Sequence, residues 1–313
     1  MIRLRDKSKS STSFTLSLLH KIYSQDDFDE IELKTMGKLT AYLQIIRPLN
    51  CLMMGFAVIV GASLVSDLNP TTKILLGFTT SFTLTATSMV INDFYDRKID
   101  AINEPNRPIP RGDIKPRDAL IFAGILTVIG LASAYTTNLP SFTLAVIAYL
   151  ISITYITKGK RTGLLGNLLV SATVVIPFIY GGLAVGQLKT STMLFVAIAY
   201  LSNTGREITK GIVDVEGDKP HNIKTVAVTH GTKTAAITAA ILSLIAVSIS
   251  PLPWIWKLVS DLFLPPVIIT DIGIIISSIL LLKNYSRKNA KKIKNLSLVW
   301  FITGLLAFIL GTL

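Results

Sequence analysis

Nine runs of apolar residues recur along the 313-residue chain, near 42–66, 73–93, 117–136, 140–157, 164–186, 190–208, 233–250, 262–283 and 295–312. Each is long enough, or nearly so, to cross a hydrocarbon layer of roughly 30 Å. Water is absent there, so the backbone must satisfy its own hydrogen bonds, and helices do this within one segment. The runs therefore predict an all-α, polytopic membrane bundle of nine transmembrane helices. Composition excludes a soluble enzyme of this size: half the residues are hydrophobic, 16% are charged and the mean hydropathy is +0.56.

Charge between the runs sets an orientation. Lys and Arg occur seven times before the first run, six times in the second loop, three in the fourth, five in the sixth and six in the eighth. The odd-numbered loops hold only Lys73, Lys189 and Lys257. The positive-inside rule then predicts a cell-membrane protein with its N-terminus and even loops cytoplasmic and its C-terminus outside. The formal charge of +12 belongs to this topology and to anionic headgroups, not to nucleic acid. No obligate protein partner is implied.

Residues 1–39 form a mixed-charge, Ser-rich cytoplasmic extension that is not a signal peptide, and the transmembrane domain is expected over 40–313. Residues 14–39 read either as an amphipathic surface helix or as a loosely ordered tail. Cys51, the single cysteine, reads as packing filler.

The chemistry-bearing segment is INDFYDRKIDAINEPNRPIPRGDIKPRD, from Ile91 to Asp118. If the preceding helix continues through it, Asn92, Asp93, Asp96 and Asp100 fall within an arc of about 100° on one face. Three carboxylates and an amide so placed repel one another unless cations sit on them. Hard divalent cations with oxygen ligands, Mg²⁺ above all, suit such a face. A solvated acidic helix end is the plainer alternative. A second cluster, GREITKGIVDVEGDKPHNIKT, places Glu207, Asp214 and Asp218 at i, i+7 and i+11, again on one face and again on the expected cytoplasmic side. Two such helix ends facing one another suit a diphosphate bridged by metal.

Basic residues accompany the acids. Arg107 and Arg111 stand in NRPIPRG, where Pro108 and Pro110, with Pro105 just before them, are expected to hinder helix and stiffen the loop. Lys158, Lys160 and Arg161 follow Tyr155, and Lys219 and Lys224 flank the second cluster. Each serves equally well as a phosphate ligand or as a topology-setting charge. Arg47 and Asn50, in RPLN, are unusual polar groups inside a span and read either as pocket lining or as a Pro-adjacent helix start. Asp271 interrupts the eighth run, far from both clusters, and is expected to have a structural partner or to be protonated. His221 reads as a solvent-facing loop residue. There is no glycine-rich nucleotide motif and no zinc spacing.

Taken with their order, N-D-x-x-D-x-x-x-D at Asn92 to Asp100 and D-x-x-x-D at Asp214 and Asp218 resemble the UbiA superfamily of intramembrane prenyltransferases, over residues from about 42 to the end. The resemblance implies nine helices around a central cavity, with Mg²⁺ and a prenyl diphosphate at its cytoplasmic mouth. It implies metal ligation by Asn92, Asp93, Asp96, Asp100, Asp214 and Asp218, with Arg107, Arg111, Lys160 and Lys224 on phosphate. YLQIIRPLNCLM, the NRPIPRG tail and R-E-I-x-K at Arg206 to Lys210 are similar to the archaeal branch that makes ether lipids. That branch transfers a geranylgeranyl group from its diphosphate to the 2-hydroxyl of 3-O-geranylgeranylglyceryl 1-phosphate, a prenylglyceryl phosphate. Relatives commonly carry an acid where this chain has Gly211.

The implied chemistry assigns catalytic roles to Asp96, Asp100, Asp214, Asp218 and Tyr155, the last donating to a phosphate oxygen or facing an allylic cation. Tyr155 as an interface anchor is the alternative. Arg47 and Asn50 would line the substrate pocket. Two other functions compete with this one: prenylation of an aromatic acceptor or haem, and transport coupled to intramembrane charge. Transport fits poorly, since the acids gather at one membrane face and not at the midplane.

Overall fold

The computed structural model describes residues 37–65, 72–186, 188–221 and 223–313, and among them the regular structure is all helical with no strand. The helices are α1 (Gly37–Ile46), α2 (Pro48–Ser63), α3 (Thr72–Asn103), α4 (Pro108–Arg111), α5 (Pro116–Thr137), α6 (Leu139–Thr157), α7 (Leu164–Val185), α8 (Thr190–Asp218), α9 (Val226–Ile249), α10 (Leu252–Ile255), α11 (Leu264–Lys283) and α12 (Arg287–Gly311). The extension expected over 1–39, with its surface helix or tail, lies outside the described residues except for the last three, which open α1.

Seven helices, α3, α5, α6, α7, α9, α11 and α12, are long and apolar enough to cross a membrane. Counting the bent pair α1–α2 as one span gives eight. The remaining expected run, 190–208, forms the first part of α8. Its apolar stretch is interrupted by Ser202, Asn203 and Thr204, all buried, and the helix then continues through the acids to Asp218.

Local chemistry sets the helix ends. Lys115 is extended before Pro116, which occupies the first turn where its missing N–H is not needed. Asn138 turns the chain between α5 and α6, accepting from Ser141 N at 2.8 Å and donating Nδ2 to Leu183 O at 3.0 Å. Thr225 caps α9 by accepting from Val228 N. The cap brings the chain into α9 beside α8.

Two groups of helices pack into one bundle. In the first, α3 runs along α5, and α7 along α2 and α6; in the second, α9 lies along α8 and α11, and α12 along α8 and α11. The groups meet where α7 packs on α8. Edge-to-face contacts from Phe178 through Phe195 and Phe308 to Phe263, with centroids 4.4–5.0 Å apart, tie α7, α8 and α12 together.

The crossing of α2 and α7 is closest. A Cβ added at Gly61 would lie 2.0 Å from Phe178 O, and one at Gly181 would lie 2.0 Å from Val58 O. Small residues at both positions let two backbones touch, the usual device for helix association in lipid. Either change forces the backbones apart and overpacks the seam. Gly61→Ala and Gly181→Ala should each lower thermal stability in detergent by about 2 kcal/mol or more, read as a fall in melting temperature. Gly211→Ala should instead gain about 0.5–1 kcal/mol, because the nearest atom, Thr225 Cβ, lies at an ordinary 3.4 Å.

Candidate active site

The site begins at a break in the first span. Proline disfavours helical backbone in the residue before it, and Arg47, preceding Pro48, adopts φ 52°, ψ 69°, separating α1 from α2 at a bend of 47°. A left-handed conformation costs a residue other than glycine about 1–2 kcal/mol. Here it aims the guanidinium across to α3, where Nη2 donates to Asp93 Oδ1 at 2.5 Å and Nη1 to Met89 Sδ at 3.4 Å. The sequence predicted one uninterrupted span. Of its two alternatives for Arg47, the Pro-adjacent helix start describes the residue, which also pairs with Asp93.

Helix α3 continues unbroken through the first acidic motif, as the face argument requires. Asp93 is buried, its side chain 3% exposed, between two arginines: Arg47 and Arg107, whose Nη1 lies 3.4 Å away. The same Arg107 nitrogen donates to Asp100 Oδ2 at 2.6 Å. Lys160 Nζ pairs with Asp96. Each carboxylate of the motif thus has a cation from another element, which offsets the mutual repulsion of the three.

The NRPIPRG tail is more ordered than a stiff linker. Contrary to the expectation that its prolines hinder helix, PIPR forms the single turn α4, with Pro108 at its first position. The first turn of a helix has no intrahelical use for those N–H groups, so Pro108 and Pro110 fit there. Gly112, at φ 88°, closes the turn, and Asp113 N and Ile114 N both donate to Pro108 O. Ile109 and Ile114 are buried in a cluster with Cys51, Val90 and Ile156, which anchors Arg107 beside α3. Arg111 turns away: it donates to Asp113 Oδ2 and to Gln44 Oε1 on α1.

On α8, Glu207, Lys210, Asp214 and Asp218 fall on one helical face. Arg206 donates to Glu207 at 3.0 Å, and Lys210 Nζ lies 3.5 Å from the other Glu207 oxygen. Asp214 and Asp218 are partly exposed. Helices α3 and α8 belong to different groups, and Tyr155, at the end of α6, feels charges of both. Its charged neighbours are Asp96 of the first motif and Glu207, Lys210 and Asp218 of the second. The loop after α6 also leans on the loop before α9: a Cβ at Gly163, where φ is +67°, would lie 2.2 Å from Lys224 O, and Lys224 N donates to Arg161 O.

The structure thus joins Arg47, Asp93, Arg107 and Asp100 in one network, with the Asp96–Lys160 pair and half-buried Asn92 on the same helix and Tyr155 in electrostatic reach of Asp96 and Asp218. Asn50 is exposed on α2, and the Lys224 side chain is exposed; neither makes a side-chain hydrogen bond to the network. The side chain of His221 lies outside the described residues. Asp271 has its expected partner, accepting from Ser250 Oγ at 2.6 Å. Reading the residues alone missed the anchoring pair of Arg47 with Asp93, for which the R-P dipeptide was the available signal. Among the described residues no three Asp, Glu, His or Cys side chains converge closely enough to hold a metal ion. The donor chemistry nonetheless suits a hard cation: the groups are oxygen-only, and the Lys160–Asp96 pair, with side chains 35% and 16% exposed, is open to exchange.

Comparison with known proteins places the chain in a family. A model of the UbiA prenyltransferase family matches residues 54–305. The chain belongs to the UbiA prenyltransferase family. Within it, the digeranylgeranylglyceryl phosphate synthase of Methanosphaera stadtmanae is 32% identical over 88% of this chain and 100% of its own length. That of Pyrococcus furiosus is 36% identical over 88% and 98%. A solved structure of digeranylgeranylglyceryl phosphate synthase superposes with a TM-score of 0.77 at 34% identity, covering 88% of this chain and 98% of that one. A UbiA homologue from Archaeoglobus fulgidus bound to GPP and Mg²⁺ shares the fold at a TM-score of 0.63 and 19% identity, over 86% and 99%.

The burial of Asp93 separates structural from exchangeable ion pairs. Asp93→Ala leaves two guanidinium groups without their shared acid and should destabilise by about 3 kcal/mol. Lys160→Ala, at a partly exposed pair, should cost less than about 1 kcal/mol. Denaturation of both variants in the same detergent checks the contrast.

Proposed function

We propose that the chain is a prenyltransferase that moves a geranylgeranyl group from geranylgeranyl diphosphate to the 2-hydroxyl of 3-O-geranylgeranylglyceryl 1-phosphate, forming digeranylgeranylglyceryl phosphate. The observation that carries the reading is the polar end of the bundle, where the first acidic motif, its exchangeable Lys160 and Tyr155 stand beside the second acidic motif. Near full-length similarity to synthases of this name supports the choice of donor and acceptor.

Asn92, Asp96 and Asp100 on α3 and Asp214 and Asp218 on α8 would hold Mg²⁺, which supplies positive charge against the diphosphate as it leaves. Asp93, held by two arginines, anchors the face and is the least available of the proposed ligands. Arg107 and Lys160 would transfer from carboxylates to phosphate oxygens, which accept charge-assisted hydrogen bonds of the same kind. Tyr155 would donate to a phosphate oxygen or face the allylic carbon. Arg111, Lys224 and Asn50 stand further out and would meet substrate only as it enters.

In the reaction the allylic C–O bond breaks and its electron pair leaves on the diphosphate. The glycerol oxygen then forms the new C–O bond, and its proton passes to Asp96 or to the departing diphosphate. The apolar interior keeps water from the cation. In this reading α8 is the sixth of nine spans, the motifs face the cytoplasm and the C-terminus lies outside.

Purified protein supplied with Mg²⁺, labelled geranylgeranyl diphosphate and the glycerol phosphate acceptor should yield the doubly prenylated product, and chelation should abolish it. Asp96→Ala and Asp214→Ala should each lower turnover by about 10²–10³-fold. Failure to prenylate this acceptor, with transfer to an aromatic acid or haem instead, would refute the assignment.

A further inference from the structure

Behind the second acidic motif lies a groove that the proposed reaction does not use. It encloses about 500 Å³ and is lined by Ile212, Val213, Val215, Glu216 and Thr232 on one side and by the turn Lys283–Arg287 on the other. Helical geometry puts Ile212 and Glu216 about 160° from Asp214, so the groove is on the back of α8, away from the acidic face. Its floor is apolar and its rim offers the hydroxyls of Thr232, Tyr285 and Ser286, the amide of Asn284 and two cations. Arg287 is braced, donating Nε to Val213 O at 3.0 Å and Nη1 to Glu216 at 3.2 Å. Lys283 has no acidic partner among the described residues.

Position identifies the ligand class. Lys283 closes a stripe on α11 with Ile272, Ile276 and Ile279, at i, i+4, i+7 and i+11, and these isoleucines are 52%, 51% and 45% exposed. A helix face of exposed isoleucines in a membrane protein meets lipid chains, and a lysine at its end stands at headgroup depth. The segment Lys283–Lys294 carries six cations and no acid. We infer that this groove binds the phosphate headgroup of an anionic membrane lipid, with Lys283 and Arg287 on the phosphate and the chains along the isoleucine stripe of α11.

The test is native mass spectrometry of the full chain released from detergent containing phosphatidylglycerol or phosphatidylcholine. One phosphatidylglycerol should be retained in preference to phosphatidylcholine. Lys283→Gln and Arg287→Gln should each weaken that retention about fivefold. Lys283→Gln breaks no bond seen in the structure and should keep its prenyl-transfer rate in lipid-free detergent, so it separates lost binding from lost folding. Equal retention of phosphatidylcholine, unchanged retention in Lys283→Gln, or displacement of the lipid by millimolar glycerol 1-phosphate or inorganic phosphate would each overturn the inference, the last by assigning the groove to a free phosphate.

Discussion

A buried carboxylate between two arginines organises this end of the molecule. Asp93 cannot remain charged inside the bundle alone, and its partners arrive from opposite directions: Arg47 from the broken first span and Arg107 from the loop after α3. Arg47 reaches it only by accepting a left-handed backbone, and Arg107 only because Ile109 and Ile114 fix the α4 turn in the core. The remaining acids of α3 are thereby presented in register, each within reach of a cation that can exchange.

The second motif depends on a different arrangement. Its helix carries charges on one face while its back packs on α9, which enters through the Thr225 cap. Gly211 is buried, and a Cβ there would lie 3.4 Å from Thr225 at the start of α9. Helical geometry puts position 211 about 20° from Asp218 and about 60° from Asp214, so an acid there would join their face where it meets the start of α9. One helix thus serves two settings, with the acidic face of the proposed site in front and, behind, the groove proposed for a lipid headgroup.

Much of this was legible from residue order. Continuous apolar runs located the long helices to within a few residues, except where a charged end extended one, as at α3, α8 and α12, and at α9, which begins seven residues before its run across a kink at Gly231. The premise that α3 continues through Asn92 to Asp100 held because no proline or glycine interrupts it until Pro105. What periodicity concealed were features set by single residues and distant contacts. The break at Arg47 depended on Pro48 overriding an apolar run. The α4 turn depended on prolines falling where a helix does not need their N–H groups. The pairing of Asp93 with Arg47 joins residues 46 positions apart, beyond any local pattern. The two motifs could be read as a pair, but that Tyr155 lies within electrostatic reach of both needed the fold.

The length of α3 has a further consequence. At 1.5 Å per residue, its 32 residues extend about 48 Å, well beyond a hydrocarbon layer of roughly 30 Å, so its acidic turns stand at the boundary between two solvents. For the proposed reaction this boundary sorts the products without moving parts. The leaving diphosphate dissolves in water, while the doubly prenylated lipid gains a second chain that holds it in the bilayer. Each product partitions away from the other, and recombination is suppressed by phase as much as by chemistry.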